Sequence, residues 1–209
     1  MIRDSEGREI RKPAFPIILS GPAGAGKGVL GARLLEADPG VVFSVSATTR
    51  PPRAHERRGI NYLFVSEAEF RRMIGSDELA EWAEVHNHLY GTPATFLNEQ
   101  LSQGMCVLLD IDVQGGVSVM RRYPDALSVF VLPPSLAILR QRLAGRGTED
   151  LQSMETRLDN ARHEIAQAAS YKYLIVNSDL DEAAASLVGI IRAERCRMAR
   201  LSSGGIRLE

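Results

Sequence analysis

Three glycines and a lysine in the run GPAGAGKG, residues 21–28, are spaced for anion chemistry. Gly21, Gly24 and Gly26 let the backbone curl with its N–H groups facing inward, which makes a nest for anionic oxygens. Lys27 adds a compact ammonium on a flexible stem, able to reach the β- and γ-phosphates of a nucleotide; an arginine fork suits so crowded a loop poorly. Pro22, Ala23 and Ala25 complete the loop, and Gly28 and Val29 follow the lysine. Composition makes the lysine informative. Among 25 basic residues only Lys12, Lys27 and Lys172 are lysines, so arginine is used almost everywhere that positive charge alone suffices.

A second group of chemistry-bearing residues is the acidic pair in VLLDID, Asp110 and Asp112. Asp110 closes an apolar run, at the strand end where open α/β sheets place their ligands. It is a candidate to hold Mg²⁺ through water, or to cap the helix that follows. A third group is the polar, Arg- and Pro-rich segment TTRPPRAHERRGINY (48–62), which contains Arg50 and Arg53.

Elements must hold these groups in place. Short, continuously apolar runs at 15–20, 41–46, 105–111, 127–132 and 173–176 read as parallel strands covered on both faces. Helical patterns lie between them at about 27–37, 94–103, 113–122, 135–144 and 180–199. The alternation predicts an α/β fold with a doubly wound parallel sheet. The phosphate loop then falls between a strand and a helix, the context that gives a G-x-x-x-x-G-K match its meaning, with the helix dipole pointing its positive end at the same spot.

Residues 48–92 break this rhythm with a strand-like YLFV and a helix-like SEAEFRRMI, and are read as a small inserted unit. Glu81 in AEWAE reads either as a site residue or as ordinary helix surface. A second polar interruption at 145–158 contains a Gly-flanked arginine, Arg146, and suggests a mobile loop leading into a helix. The expected organisation is an N-terminal extension (1–14), a core (15–46 and 97–200) that includes a lid at about 145–158, an insertion (47–96) and a frayed tail (201–209).

Several function classes are disfavoured. A net charge of −1 does not suggest a general nucleic-acid binder. No apolar run is long enough to span a bilayer, and the charged N-terminus lacks the apolar stretch of a signal peptide. Cys106 and Cys196 have no metal-ligand spacing, in keeping with a reducing, cytoplasmic setting. His55, His86, His88 and His163 form no cluster. Oligomeric state stays open between monomer and homodimer.

The runs GPAGAGKG, SVSATTRPPRAHERRGINY, AEWAEVHNHLYGT, LLDIDVQG, LPPS, RLAGRGTED and YLIVN follow one another in the order and at the spacing of guanylate kinases, and the resemblance covers about residues 15–200. It implies transfer of the γ-phosphoryl of ATP to GMP, with Mg²⁺, giving ADP and GDP. By motif position it implies that Gly21 to Val29 bind ATP, that Arg50, Arg53, Tyr62 and Tyr90 hold the GMP phosphate, and that Ser46, Glu81, Thr92 and Asp112 read the guanine. It also implies that Lys27, Arg142, Arg146 and Arg157 stabilise the transferring phosphoryl. A carboxylate that accepts from guanine N1–H and the 2-amino group would be left unpaired by adenine, a mismatch worth about 10⁴-fold or more.

The sequence departs from the family pattern at Ala23, Ala47 and Leu89, and above all at Gly28 and Val29, which replace the usual hydroxyl-bearing pair after the lysine. Mg²⁺ would then rest on phosphate oxygens, water and an acid elsewhere, which is compatible with an ion that keeps several waters. Two other readings share parts of the pattern: a non-catalytic guanylate-kinase-like binding module, and a phosphate-loop kinase for another phosphorylated small molecule. Retention of Lys27 and the lid arginines disfavours the first, and Ser46, Glu81 and Asp112 disfavour the second.

Overall fold

The computed structural model describes residues 2–4, 13–53, 56–85, 87–144, 151–201 and 206–208. Five parallel strands make the main sheet: β2 (Pro16–Ser20), β3 (Val41–Phe43), β8 (Cys106–Asp110), β9 (Leu127–Leu132) and β10 (Tyr173–Val176), in the order β10-β9-β2-β8-β3. All five residues of β2 are buried, as its continuous hydrophobicity requires. Alternate side chains serve opposite cores. Ile17 and Leu19 pack with Leu30, Leu34, Leu187 and Ile191 of α1 (Lys27–Ala37) and α7 (Leu180–Arg195). Ile18 packs with Leu97 and Val119 of α3 (Ala94–Ser102) and α4 (Val113–Arg122). Truncating Leu30 or Leu187 to alanine in such a core costs about 2–5 kcal/mol.

A separate four-stranded sheet, ordered β5-β4-β7-β6, is built from β4 (Ala47–Thr48), β5 (Leu63–Phe64), β6 (Leu79–Val85) and β7 (His88–Pro93). With α2 (Glu67–Gly75) it encloses its own small core of Ala47, Phe70, Met73, Leu79 and Leu89. The β6–β7 hairpin carries Glu81, so AEWAE is strand and not helix surface. Its alanines and glutamates favour helix in isolation, but cross-strand pairing and a half-buried face override that preference.

α5 (Leu136–Ala144) and α6 (Leu151–Ala166) share a third cluster, Leu139, Leu143, Met154, Leu158 and Ala161. The expected lid loop is therefore helical from 151 onward, and 145–150, with Arg146, lie outside the described residues. The helix expected over 180–199 ends at Arg195 and is followed by a short α8 (Met198–Leu201). At the extremes, β1 (Ile2–Asp4) pairs antiparallel with β11 (Ile206–Leu208), where the sequence suggests a frayed tail. Among the described residues no helix is long and apolar enough to cross a membrane.

Candidate active site

β2 and α1 present the glycine loop at the C-terminal edge of the main sheet. Gly21, Gly24 and Gly26 have φ of 143°, 89° and 95°, and the last two lie in the left-handed region that glycine enters without a Cβ penalty. Side-chain caps close α2 (Ser66), α4 (Asp112) and α7 (Asp179), whereas α1 starts at Gly26 with no side-chain cap and no acid in its first turn. Its leading N–H groups are left for an anion. Lys27 Nζ donates to Gly21 O at 2.6 Å and Pro22 O at 3.4 Å, folded over the loop it would share with a phosphate.

Leu19 of β2 sits opposite Asp110 of β8, which brings that carboxylate beside the loop. Burial raises its pKa and Lys27 opposes the rise. A Cβ on Gly28 would lie 3.7 Å from Asp110 Oδ2. The residue that lacks a hydroxyl thus faces the acid that could replace it as anchor for a hydrated cation. No group of three or more His, Cys, Asp or Glu able to hold a metal ion occurs among the described residues.

Across the cleft, β6 and β7 bring Glu81 and Thr92 together, and Thr92 Oγ1 donates to Glu81 Oε1 at 2.6 Å. Glu81 is only 6% exposed. Burial pushes its pKa up to about 7, against the Thr92 hydrogen bond and with help from the negative charge of Asp112. Asp112 caps α4 by accepting from Gly115 N at 2.8 Å, and burial raises its pKa too. Gly115, quoted in LLDIDVQG but given no role from sequence, is what lets these two acids face each other. A Cβ there would fall 2.5 Å from Glu81 Oε2. Ser46 lies just before β4, and its carbonyl accepts from Leu63 N.

Arg50, Tyr62 and Tyr90 form one cluster. The Arg50 guanidinium lies 5.4 Å from the Tyr62 ring centroid, and the Tyr62 and Tyr90 rings are 5.9 Å apart, edge to face. Burial lifts the Tyr62 phenol. Glu56, a residue with no role evident from sequence, organises the loop. It accepts from Arg50 Nη2 at 2.8 and 2.9 Å and from the Arg53 backbone N–H at 2.8 Å. The Arg50 guanidinium holds the Glu56 carboxyl down at about 2. The Arg53 side chain itself is exposed.

Two of the predicted cations reach different sides of the loop. Arg157, on α6, lines a cavity of about 300 Å³ with Ala23, Glu84, Asp112 and Glu164. Arg142, on α5, lines another of about 370 Å³ with Gly24, Gly26, Val29, Asn177 and Ser178. Its Nη2 donates to Asn177 O at 3.2 Å, while Nη1 is buried without a hydrogen-bond partner. Asn177 in turn donates from Nδ2 to Ala25 O at 2.8 Å, and a Cβ on Gly26 would fall 2.2 Å from that nitrogen. Asn177 closes the run YLIVN but has no role from sequence, and Glu164 lies in none of the quoted runs. Both act through tertiary proximity to the loop: burial raises the Glu164 pKa, opposed by Lys27.

The guanylate kinase family profile matches residues 14–194. A guanylate kinase of Symbiobacterium thermophilum is 48% identical over 184 residues, 88% of this chain and 87% of the relative. One of Caldanaerobacter subterraneus subsp. tengcongensis is 44% identical over 191 residues, 91% and 93% of the two chains. Among solved structures, a guanylate kinase from Anaplasma phagocytophilum superposes with a TM-score of 0.79 at 33% identity, covering 93% of each chain.

Proposed function

The chain belongs to the guanylate kinase family, and from that premise we infer that the cleft between the glycine loop and the small sheet is where ATP and GMP meet. The enzyme is an ATP:GMP phosphotransferase, giving ADP and GDP. The observation that carries the site assignment is a juxtaposition. One cleft joins an uncapped helix N-terminus with its lysine to a buried Glu81–Thr92 pair facing Asp112.

On this reading the loop from Gly21 to Val29 cradles the ATP phosphates with backbone N–H groups, and Lys27 leaves its carbonyl partners for the β- and γ-oxygens. The cavity beside Arg142 and Asn177 takes the rest of the donor nucleotide. Glu81, in its ionised form, accepts from guanine N1–H and the 2-amino group. Ser46, Thr92 and Asp112 complete the reading of the base. Arg50, Arg53, Tyr62 and Tyr90 hold the GMP phosphate, with Glu56 as the carboxylate that keeps Arg50 extended until phosphate arrives.

Phosphoryl transfer asks the protein mainly for positioning and charge, so Lys27, Arg142, Arg146 and Arg157 suffice without a covalent protein intermediate. ATP-using kinases generally need Mg²⁺, which neutralises developing charge on the phosphates; here Asp110, through water, is the residue that would hold it. The insertion at 47–96 and the lid at about 145–158 act as the parts that close, excluding water from the reaction. ³¹P NMR of ATP, GMP and Mg²⁺ with the enzyme tests the reading: the β-phosphate resonances of ADP and GDP should grow together. ADP and inorganic phosphate appearing without GDP would contradict it.

A further inference from the structure

At the rear of the small sheet, away from the cleft, the core and the insertion are joined by an ion pair. Arg122, the last residue of α4, donates from Nη1 and Nη2 to Asp77 Oδ1 and Oδ2, both at 2.9 Å, and from Nη1 to Leu79 O at 3.0 Å. Leu79 is the first residue of β6. The β6–β7 pairing is then interrupted by a register shift between Leu79 and Glu81. α4 therefore touches β6 at both ends. Its first turn faces Glu81 through Gly115, and its last residue holds the strand's entry.

The residue chosen at position 77 is the telling feature. α2 ends in a left-handed turn, with Glu78 N bonded to Met73 O at 3.0 Å and Asp77 N to Ile74 O at 3.1 Å. Asp77 occupies the left-handed position with φ of 52°. Glycine is the usual occupant there because it has no Cβ to clash. Aspartate is strained by comparison, and what it adds is the carboxylate that Arg122 grips. Behind Glu81 lies a cavity of about 230 Å³ lined by Ile74, Asp77, Ala80, Trp82, Ser118 and Arg122, so beside the tether the two bodies are not packed solid, while Ala80 is buried with Leu97, Val113 and Val119 of the core.

We propose that Arg122 and Asp77 are positioning residues for GMP recognition: the fork fixes where β6 enters, and so sets Glu81 against Asp112 and Gly115. This rests on the assignment of Glu81 as the guanine-reading acid. Exposure of the two side chains, 40% for Arg122 and 79% for Asp77, makes the tether weak and releasable. That suits a pivot that must allow the insertion to move.

Asp77→Gly separates positioning from stability. It removes the carboxylate while relieving the left-handed strain, so Tm should hold or rise. The GMP Kd, read from fluorescence of the single tryptophan Trp82, should nevertheless increase about 3- to 5-fold, the scale of an exposed pair. Arg122→Ala, which also loses the bond to Leu79 O, should increase it at least as much, and the Asp77→Gly/Arg122→Ala double variant no more than Arg122→Ala alone. KM for ATP and kcat at saturating GMP should not change. Wild-type GMP affinity in all three variants, or losses that add, would overturn the proposal. Absence of GMP binding by the wild-type enzyme would instead overturn the site assignment on which it rests.

Discussion

Thr92 Oγ1 and Glu81 Oε1 lie 2.6 Å apart, hydrogen-bonded in a buried pocket on adjacent strands of the insertion. The contact leaves Glu81 Oε2 directed at Gly115, where only a residue without a side chain fits. The carboxylate proposed to read the base is thus oriented before any ligand arrives.

The first consequence concerns pH. Burial, with Asp112 nearby, raises the Glu81 pKa to about 7. Guanine donors bind the ionised form, so GMP uptake requires proton release below that value. GMP affinity should be flat just above about pH 8, until guanine N1–H itself ionises, and should fall as pH drops through 7, approaching tenfold per unit. The sign for stability is the reverse. A carboxyl whose pKa is raised on folding costs the free enzyme stability as pH rises from 4.5 toward 7. Calorimetric titration of guanosine, which has no phosphate to titrate, checks the binding slope. Glu81→Gln should flatten it and weaken binding by about 10²-fold or more.

Gly115→Ala introduces a Cβ 2.5 Å from Glu81 Oε2 and 3.1 Å from Asp112 Oδ1. It should raise KM for GMP by about tenfold or more while leaving KM for ATP within about twofold, since an oriented acceptor is lost from one substrate only. Steady-state kinetics with each substrate varied in turn gives the answer. Equal changes in both KM values would place the clash elsewhere.

Lys27→Ala removes the ammonium proposed to bear on the phosphates at the moment of transfer. Turnover should fall by about 10²–10³-fold, with GMP affinity changed far less. A matched loss of both, measured by kcat and by GMP titration, would show that the lysine serves binding alone.

Val29→Thr restores one of the two hydroxyls missing after Lys27, on a residue that is 54% exposed in the donor cavity. The Mg²⁺ concentration for half-maximal activity should fall, and Mn²⁺ should bind the enzyme with an ATP analogue more tightly by electron paramagnetic resonance. An unchanged titration would mean that Asp110 and water already supply all that the loop lacks.

Much of this was legible before any coordinates. Each strand of the main sheet was visible as an apolar run: β2, β8 and β9 because both faces are covered, whereas β10, expected to be covered on both faces, leaves Leu174 and Val176 54% and 48% exposed. α1 and α4 match their expected bounds at 27–37 and 113–122. The glycine loop between β2 and α1 was clear from spacing. The β6–β7 hairpin was not, since Ala80, Glu81, Ala83 and Glu84 favour helix and only pairing with β7 makes them strand. Glu56, Gly115 and Asn177 were opaque for a related reason. Their chemistry is ordinary, and their importance lies in what the fold sets opposite them: Arg50, Glu81 and Ala25.

A cleft with a buried carboxylate acceptor should commit this kinase to guanine. The direct measurement is ADP formation from ATP and Mg²⁺, followed in a coupled assay with GMP, AMP or CMP as acceptor. GMP should drive turnover, with kcat/KM about 10⁴-fold above that for AMP. Comparable rates with AMP would contradict the role given to Glu81 and the pocket built around it.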